Sequence, residues 1–111
     1  LKEMIIRSGL NVYPVEVEEF LSTHPDVAQV QVFGLPDPKM GEEVAAWVIA
    51  RPGSNLTGEG LREWCRGKIA HYKIPRHVRL VSEFPLTATG KAQKFRMQEA
   101  MMAELGIAPA A

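Results

Sequence analysis

The clearest alternation of apolar and polar residues lies in residues 27–33. Ala28, Val30 and Val32 fall on one side of an extended chain and the glutamines between them fall on the other, which predicts a half-buried β-strand. Residues 34–38, which follow, contain one glycine and two prolines. Because proline has no N–H to donate to a β-ladder, we expect the strand to end at Phe33.

Three further segments are predicted to be extended. Residues 44–50 are apolar without interruption, a pattern typical of a central strand that is covered on both faces. Residues 77–81 are predicted to form a third strand of the same sheet. Near the N-terminus, the apolar run of residues 4–7 precedes a turn signal at residues 8–11, which indicates a short hairpin.

Three helices are predicted from apolar residues at helical spacing. The first begins at Pro14, because proline fits the first helical position and the acidic residues after it complement the helix dipole. Thr57 is a candidate N-cap for the second helix. The expected buried face of the third helix consists of Phe95, Met102 and Leu105. The only cysteine and both tryptophans are interpreted as core residues: Cys65, Trp47 and Trp64.

The order of these elements predicts an α+β fold. It consists of a small sheet, made of a short N-terminal hairpin and about three further strands, flanked by about three helices. At 111 residues the chain is expected to form a single domain.

Composition excludes several classes of protein. No apolar run approaches the roughly 20 residues that a transmembrane helix needs, and no signal-peptide pattern is present, so we expect a soluble, cytoplasmic protein. A single cysteine excludes a disulfide framework and a cysteine-rich metal site. The three histidines have no metal-ligand spacing, and no metal site is expected within this chain.

Charge is unevenly distributed, although the formal net charge is zero. Residues 64–82 contain five cationic residues and no acidic residue. A local basic segment in a neutral chain indicates a discrete anionic ligand rather than a nucleic-acid surface, and the alternative is a merely solvated face. The five cationic residues are Arg66, Lys68, Lys73, Arg76 and Arg79.

The segment with the clearest chemical potential is the loop Pro85-Leu86-Thr87-Ala88-Thr89-Gly90-Lys91. Its spacing is similar to that of a phosphate-binding loop. However, Pro85 replaces the first glycine, and Ala92 replaces the Ser or Thr that holds magnesium in such loops. A free-standing P-loop NTPase is therefore excluded. A loop lysine can instead offset the repulsion between a carboxylate and the phosphate that it attacks, by about 4 kcal/mol at an effective dielectric of roughly 20. Taken alone, the loop would be interpreted as carrying a solvated lysine.

Four segments, taken together, change that interpretation. They are LKEMIIRSGLNVYPVEVE (residues 1–18), VFGLPD with GEEV (residues 32–37 and 41–44), YKIPR (residues 72–76) and PLTATGK (residues 85–91). In order and spacing they closely resemble the motifs of the C-terminal domain of adenylate-forming (AMP-binding) enzymes, the acyl-CoA synthetases in particular.

The resemblance implies a two-domain ligase of which this chain is the small, mobile domain. A large N-terminal domain, absent here, holds ATP, Mg²⁺ and the acid. Such enzymes form an acyl-adenylate and pyrophosphate, then turn the small domain and transfer the acyl group to a thiol. We therefore expect a hinge segment at residues 1–8, the domain at residues 9–105 and a frayed tail at residues 106–111. The chain begins at Leu1 without a methionine, and we interpret it as a piece of a longer protein that is inactive alone.

Site residues follow from the resemblance position by position. Lys91 matches the catalytic lysine of the adenylation step, with Thr89 and Gly90 supporting its loop. Lys2 matches the hinge residue. Residues that match the pantetheine- and CoA-binding positions of some members are Gly9, Leu10, Arg66, Tyr72, Lys73 and Arg76.

The expected function is that of an acyl-CoA ligase that activates a carboxylic acid, with a fatty acid as the expected class. Its partners are its own N-terminal domain, ATP, CoA and the acid, and no nucleic acid. Two alternatives stay open: an adenylation domain that loads a carrier protein, and a non-enzymatic, stand-alone binding module of the same fold. A luciferase-like oxidase is a weaker variant. The sequence encoded before Leu1 distinguishes the binding module from the enzymes.

Overall fold

The computed structural model describes residues 3–109 and confirms the α+β fold. The strands are β1 (Ile5–Arg7), β2 (Leu10–Val12), β3 (Val27–Asp37), β4 (Gly41–Ala50) and β5 (His77–Leu80). The helices are α1 (Pro14–Leu21), α2 (Gly58–Cys65) and α3 (Lys94–Leu105), with a short 3-10 helix at His71–Lys73. None of the helices in residues 3–109 has the length and hydropathy that a membrane span requires.

The sheet is organised around β4. β3 runs antiparallel along one side of β4, while β1 pairs with it in the antiparallel and β5 in the parallel direction on the other side. β2 completes the sheet by pairing with β1 in the predicted hairpin. Every residue from Glu43 to Val48 is buried, which confirms that this strand is covered on both faces.

Two apolar layers cover the two faces of β4. Ala46 and its neighbours of even number pack against α1, α2 and the β1–β2 hairpin, in a layer that includes the fully buried Cys65. Trp47 lies on the opposite face and packs against α3. Trp64 is only half buried, at the margin of the first layer, where its ring stacks on Phe20 with the ring centroids 5.0 Å apart.

β3 continues through the segment that was predicted to end it. Residues 34–37 pair in unbroken register with β4, so the predicted end at Phe33 was wrong. In an antiparallel strand alternate residues direct their N–H and C=O groups away from the partner. The N–H of Val32 points to the open side of β3, and Pro36, four residues later, has the same orientation. The missing N–H of Pro36 therefore costs no hydrogen bond within the sheet.

Side chains from two helices cover the open edge of β3. The N–H of Val32 donates to Oε2 of Glu18 at 2.8 Å, and the carbonyl of Gly34 accepts from Nε2 of Gln98 at 2.9 Å. Glu18 belongs to α1 and Gln98 to α3, so both helices are tied to this edge. The two contacts satisfy polar groups that an uncovered edge strand would leave unpaired.

A bulge changes the buried face at the beginning of β3. Val27 pairs with Ala50 and Gln29 pairs with Ile49, which leaves Ala28 as an extra residue. Ala28 is consequently exposed, and its predicted place on the buried face was wrong. Val27 enters the core instead.

α3 buries a different face from the predicted one. Met97 and Met101 are buried, whereas Phe95 is 69% exposed and Leu105 is 42% exposed. Of the predicted face, only Met102 packs against the core. The two faces have similar helical spacing, and the flexible methionine side chains fill the space beside Trp47.

The helix ends follow local rules of sequence. Pro14 begins α1 as predicted, and Thr57 caps α2 by accepting the N–H of Gly60 on its Oγ1 at 3.0 Å. Gly106 ends α3 in the left-handed region, with a φ of 69°. Ile107 follows and packs against the core, within the segment for which fraying was expected.

Replacing Ala46 with leucine tests the two-sided packing of β4. Ala46 is fully buried between strands, so the added carbon atoms have no room, and overpacking typically costs about 1–3 kcal/mol. We expect urea denaturation to show a loss of unfolding free energy of that size for Ala46→Leu. The matched control is Ala28→Leu, at the exposed bulge, with an expected change below about 0.5 kcal/mol. Equal losses in the two variants would contradict the packing.

Candidate functional site

The β1–β2 hairpin is joined to the rest of the domain by two glutamates of β4. The N–H of Ile6 donates to Oε1 of Glu42 at 2.9 Å, and Nε of Arg7 donates to Oε1 of Glu43 at 2.7 Å. Glu43 is only 4% exposed, so the Arg7–Glu43 ion pair is shielded from water. Gly34 makes room for this arrangement, because a Cβ there would collide with the Glu42 carboxylate.

The tip of the hairpin is formed by Ser8 and Gly9. Both have left-handed backbones, with φ angles of 51° and 80°, as the two-residue turns of β-hairpins require. The N–H of Ser8 donates to the carbonyl of Met40 at 2.7 Å, which fixes the tip against the turn between β3 and β4. A Cβ on Gly9 would meet no atom of the described chain within 4 Å, so the space beside its backbone is open. Leu10, the next residue, is 47% exposed.

Several large apolar side chains near this tip are exposed to solvent. They lie in or next to β1, β2 and the start of α1, and we call them the hairpin surface: Met4, Ile6, Leu10, Tyr13 and Val15. Ile6 pairs with Asn11 and Arg7 pairs with Leu10, so Ile6 and Leu10 lie on opposite faces of the hairpin. Both faces therefore carry an exposed apolar side chain.

The Lys91 loop is held in shape by its own hydrogen bonds. The N–H of Thr87 donates to the carbonyl of Lys91 at 2.8 Å, and the N–H of Lys91 donates to Oγ1 of Thr87 at 3.0 Å. The hydroxyls of Thr87 and Thr89 lie 3.0 Å apart. Gly90 has a φ of 87°, a conformation that glycine adopts without strain. The two predicted support residues, Thr89 and Gly90, thus belong to the bonded framework of the loop.

The side chain of Lys91 is exposed. Within residues 3–109 it makes no ion pair and no hydrogen bond, so its ammonium is available to a ligand. It lines a cleft of about 470 Å³ together with Glu3, Gln31, Ala92 and Lys94. Sequence analysis did not identify Glu3 or Lys94 as site residues. The one sequence signal that could have identified Lys94 is its place at the start of a helix, where the helix dipole favours acidic residues.

Tyr72 and Lys73 lie together on the short 3-10 helix. Nζ of Lys73 is 5.8 Å from the centre of the Tyr72 ring and 2.8 Å from Oε1 of Glu16 in α1. The hydrogen bond with Glu16 raises the pKa of Lys73, which keeps its charge at neutral pH. Lys73 would therefore exchange one anionic partner for another on binding a phosphate. Arg66 is exposed and pairs with Glu63 at 3.2 Å.

Arg76 faces a separate groove between α2, β5 and α3, of about 390 Å³. Its side chain makes no ion pair or hydrogen bond with the described part of the chain. Arg79 lines the same groove, where it pairs with Glu104 at 3.2 Å and lies over the ring of Trp47. His77 lines this groove as well. Burial lowers the pKa of His77, so its imidazole is neutral at neutral pH. Arg76 lines this groove, whereas Lys73 lines a different one beside α1.

No group of three or more His, Cys, Asp or Glu side chains in residues 3–109 is arranged to hold a metal ion. Burial raises the pKa of the Cys65 thiol, which disfavours the thiolate form that a nucleophile or a metal ligand needs. Among the predicted site residues that the structure describes, Lys91 and Arg76 are the cations whose side chains make no ion pair and no hydrogen bond.

The sequence matches the family model of the AMP-binding enzyme C-terminal domain over residues 16–91. It is 47% identical over 107 residues to the mitochondrial medium-chain acyl-CoA ligase ACSF2 of Danio rerio, a match that covers 96% of this chain and 18% of that relative. The chain thus spans less than a fifth of the length of this relative.

Two solved structures have the same fold as this chain. The Mycobacterium tuberculosis fatty acyl CoA synthetase is 39% identical with a TM-score of 0.81, over 91% of this chain and 20% of that one. The amide bond synthetase McbA from Marinactinospora thermotolerans is 37% identical with a TM-score of 0.84, over 90% of this chain and 20% of that one.

The Glu43→Gln substitution tests the shielded ion pair that anchors the hairpin. It leaves the charge of Arg7 without its partner, and a hydrogen bond to a charged group contributes about 1.5–3 kcal/mol. We expect a loss of unfolding free energy in that range, measured by urea denaturation. The matched control is Glu59→Gln, because Glu59 is 81% exposed in its pair with Arg62 and such a pair contributes less than about 1 kcal/mol. A loss for Glu43→Gln no larger than that of the control would show that the pair does not anchor the hairpin.

Proposed function

Because the chain belongs to the family of AMP-binding enzyme C-terminal domains, we propose that it is the mobile domain of an ATP-dependent acid–thiol ligase. In this proposal the whole enzyme joins a carboxylic acid to ATP, releases pyrophosphate, and then transfers the acyl group to CoA. The names of the relatives support an acyl-CoA ligase that acts on a fatty acid, since they include a medium-chain acyl-CoA ligase and a fatty acyl CoA synthetase. One similar solved structure is named an amide bond synthetase. CoA is proposed as the acyl acceptor because the other relatives are named as an acyl-CoA ligase and a fatty acyl CoA synthetase.

The observation that carries the proposal is the available ammonium of Lys91 on a loop fixed by internal bonds. In the first half-reaction an oxygen of the carboxylate attacks the α-phosphorus of ATP, and the bond from that phosphorus to the bridging oxygen of pyrophosphate breaks. Negative charge is redistributed over the oxygens around the phosphorus in the transition state. A fixed cation at those oxygens stabilises that state more than the separated reactants. We assign this role to Lys91.

The large domain supplies the sites for ATP and Mg²⁺ in this proposal. In this proposal the small domain places Lys91 beside the phosphates of ATP and excludes water around them. The cytoplasmic location that the sequence suggests for this protein stays a prediction.

The second half-reaction uses the hairpin surface. The open space beside Gly9 allows pantetheine to approach its backbone closely, and the exposed Leu10 offers apolar contact. In this proposal Lys91 acts in the first half-reaction and Gly9 in the second, and a rotation of the domain between the two steps exchanges them. The hinge assigned to Lys2 lies outside the described residues.

For the nucleotide part of CoA, we propose Arg76 as the first phosphate contact because it is exposed and has no partner within the described chain. The ring of Tyr72 can stack on adenine, and the charge of Lys73 can reach a phosphate when it leaves Glu16. Arg66, which is exposed and pairs only with a surface glutamate, completes the proposed set.

The Lys91→Ala substitution in the full-length enzyme tests the catalytic assignment. Removal of one preorganised charge is expected to lower the rate of acyl-adenylate formation by on the order of 10²–10³. Pyrophosphate release measures this step, and a panel of acids in the same assay identifies the substrate. Thioester formation from supplied acyl-adenylate should largely survive. The control is Lys39→Ala, which removes an exposed lysine from the turn between β3 and β4. An equal loss in both half-reactions would refute the assignment.

The Lys2→Pro substitution tests the hinge. Proline fixes φ near −65° and so restricts the rotation that must follow adenylation. We expect thioester formation to slow more than acyl-adenylate formation, measured as separate single-turnover rates in the full-length enzyme. Lys2→Ala removes the side chain without stiffening the backbone and serves as the control. If Lys2→Pro slowed neither step, or both equally, the hinge would lie elsewhere.

A further inference from the structure

Lys94, the first residue of α3, makes contacts that the sequence did not predict. Its Nζ lies 2.8 Å from Oε1 of Glu3 and 2.9 Å from Oε2 of Glu18, and the side chain is only 18% exposed. The same oxygen of Glu18 also accepts the N–H of Val32 at 2.8 Å. One ammonium therefore connects the segment before β1, helix α1, strand β3 and helix α3.

The position of Lys94 in its helix indicates that its charge is needed for the contacts with Glu3 and Glu18. A cation at the first position of a helix opposes the helix dipole. α3 has no acidic residue in its first turn and no side-chain cap at its N-terminus. Glu3 and Glu18 supply, from other segments, the negative charge that the sequence of the helix itself lacks.

Lys94 is also rigidly connected to the Lys91 loop. The loop closes immediately before α3, where the N–H of Gln93 donates to the carbonyl of Pro85 at 2.9 Å. Only Ala92 and Gln93 lie between Lys91 and Lys94, and Ala92 forms a bridge with Leu86, so no flexible segment separates the two lysines. A displacement of Lys94 is therefore transmitted to Lys91.

We propose that Lys94 is a positioning residue for Lys91, and that it acts by clamping the chain that leaves the hinge to the base of the catalytic loop. The proposal rests on the proposed function, because Glu3 directly follows the residue assigned as the hinge. With the clamp closed, the residue after the hinge and the Lys91 loop move as one body when the domain turns. The carboxylates also occupy the Lys94 ammonium, which leaves Lys91 as the cation of this cleft that is available to substrate.

Steady-state and half-reaction kinetics of the full-length enzyme test the clamp. Lys94→Met keeps the length of the side chain and removes its charge. We expect kcat for acyl-adenylate formation to fall about tenfold or more, because catalysis is sensitive to misplacement of a catalytic group by about 1 Å. KM for ATP should change by less than about twofold, since Lys94 is bonded to protein rather than to substrate. Thioester formation from supplied acyl-adenylate should be unaffected.

Three variants sharpen the test. Lys94→Arg retains a charge that can reach both carboxylates and should recover most of the lost rate. Glu3→Gln, at the 56% exposed end of the clamp, should reproduce part of the loss without disturbing the core. It also keeps the proposal testable if Lys94→Met does not fold. The matched control is Lys39→Met, which removes an exposed lysine from the turn between β3 and β4 and should leave adenylation unchanged.

Hydrogen exchange in the substrate-free full-length enzyme gives a readout that does not depend on activity. In Lys94→Met, peptides that cover residues 3–7 and 85–93 should exchange faster, while the β4 peptide should not change. A rise in KM for ATP without loss of kcat would overturn the proposal, because Lys94 would then be a substrate ligand. Unchanged exchange and kinetics would also overturn it, while a full effect of Lys91→Ala would leave the proposed function intact. If Lys91→Ala left adenylation intact, the proposed function would fail, whatever the exchange showed.

Discussion

The central strand, apolar on both faces, is the constraint on which the rest of the structure depends. Ala46 faces one apolar layer and Trp47 the other, and both residues are buried. Exposing either face to water would cost about 25 cal/mol for each Å² of apolar surface, so the chain must supply two covering layers. α1 and α2 provide one layer and α3 provides the other. Because the Lys91 loop leads directly into α3, the packing that covers Trp47 also determines where Lys91 lies.

Features that depend on a single segment could be predicted from the sequence, and features that depend on a neighbour could not. Pro14 and Thr57 mark helix starts through their own backbone and side-chain chemistry. The continuation of β3 through Pro36 depends instead on which side of the strand β4 occupies. The exposure of Ala28 depends on a bulge, and the buried face of α3 depends on the space beside Trp47. Local patterns contain none of this information.

The same distinction applies to the candidate site. Lys91 could be found from its loop because the motif is continuous in sequence. Lys94 could not, because its partner Glu3 lies 91 positions earlier in the chain. The hairpin and the start of α3, next to the Lys91 loop, are each held by an ion pair between distant residues, Arg7 with Glu43 and Lys94 with Glu3. Polar contacts of this kind are directional, so they orient segments that apolar packing alone would leave less well defined.

The open edge of β3 has a consequence for self-association. A long edge strand is a template on which a second chain can add by strand pairing, the first step of much protein aggregation. Here the N–H of Val32 is occupied by Glu18, the carbonyl of Gly34 by Gln98, and Pro36 has no N–H to donate. An incoming strand must displace two helices before it gains a continuous ladder. The covered edge can therefore be exposed in a crowded cell without adhering to copies of the same domain.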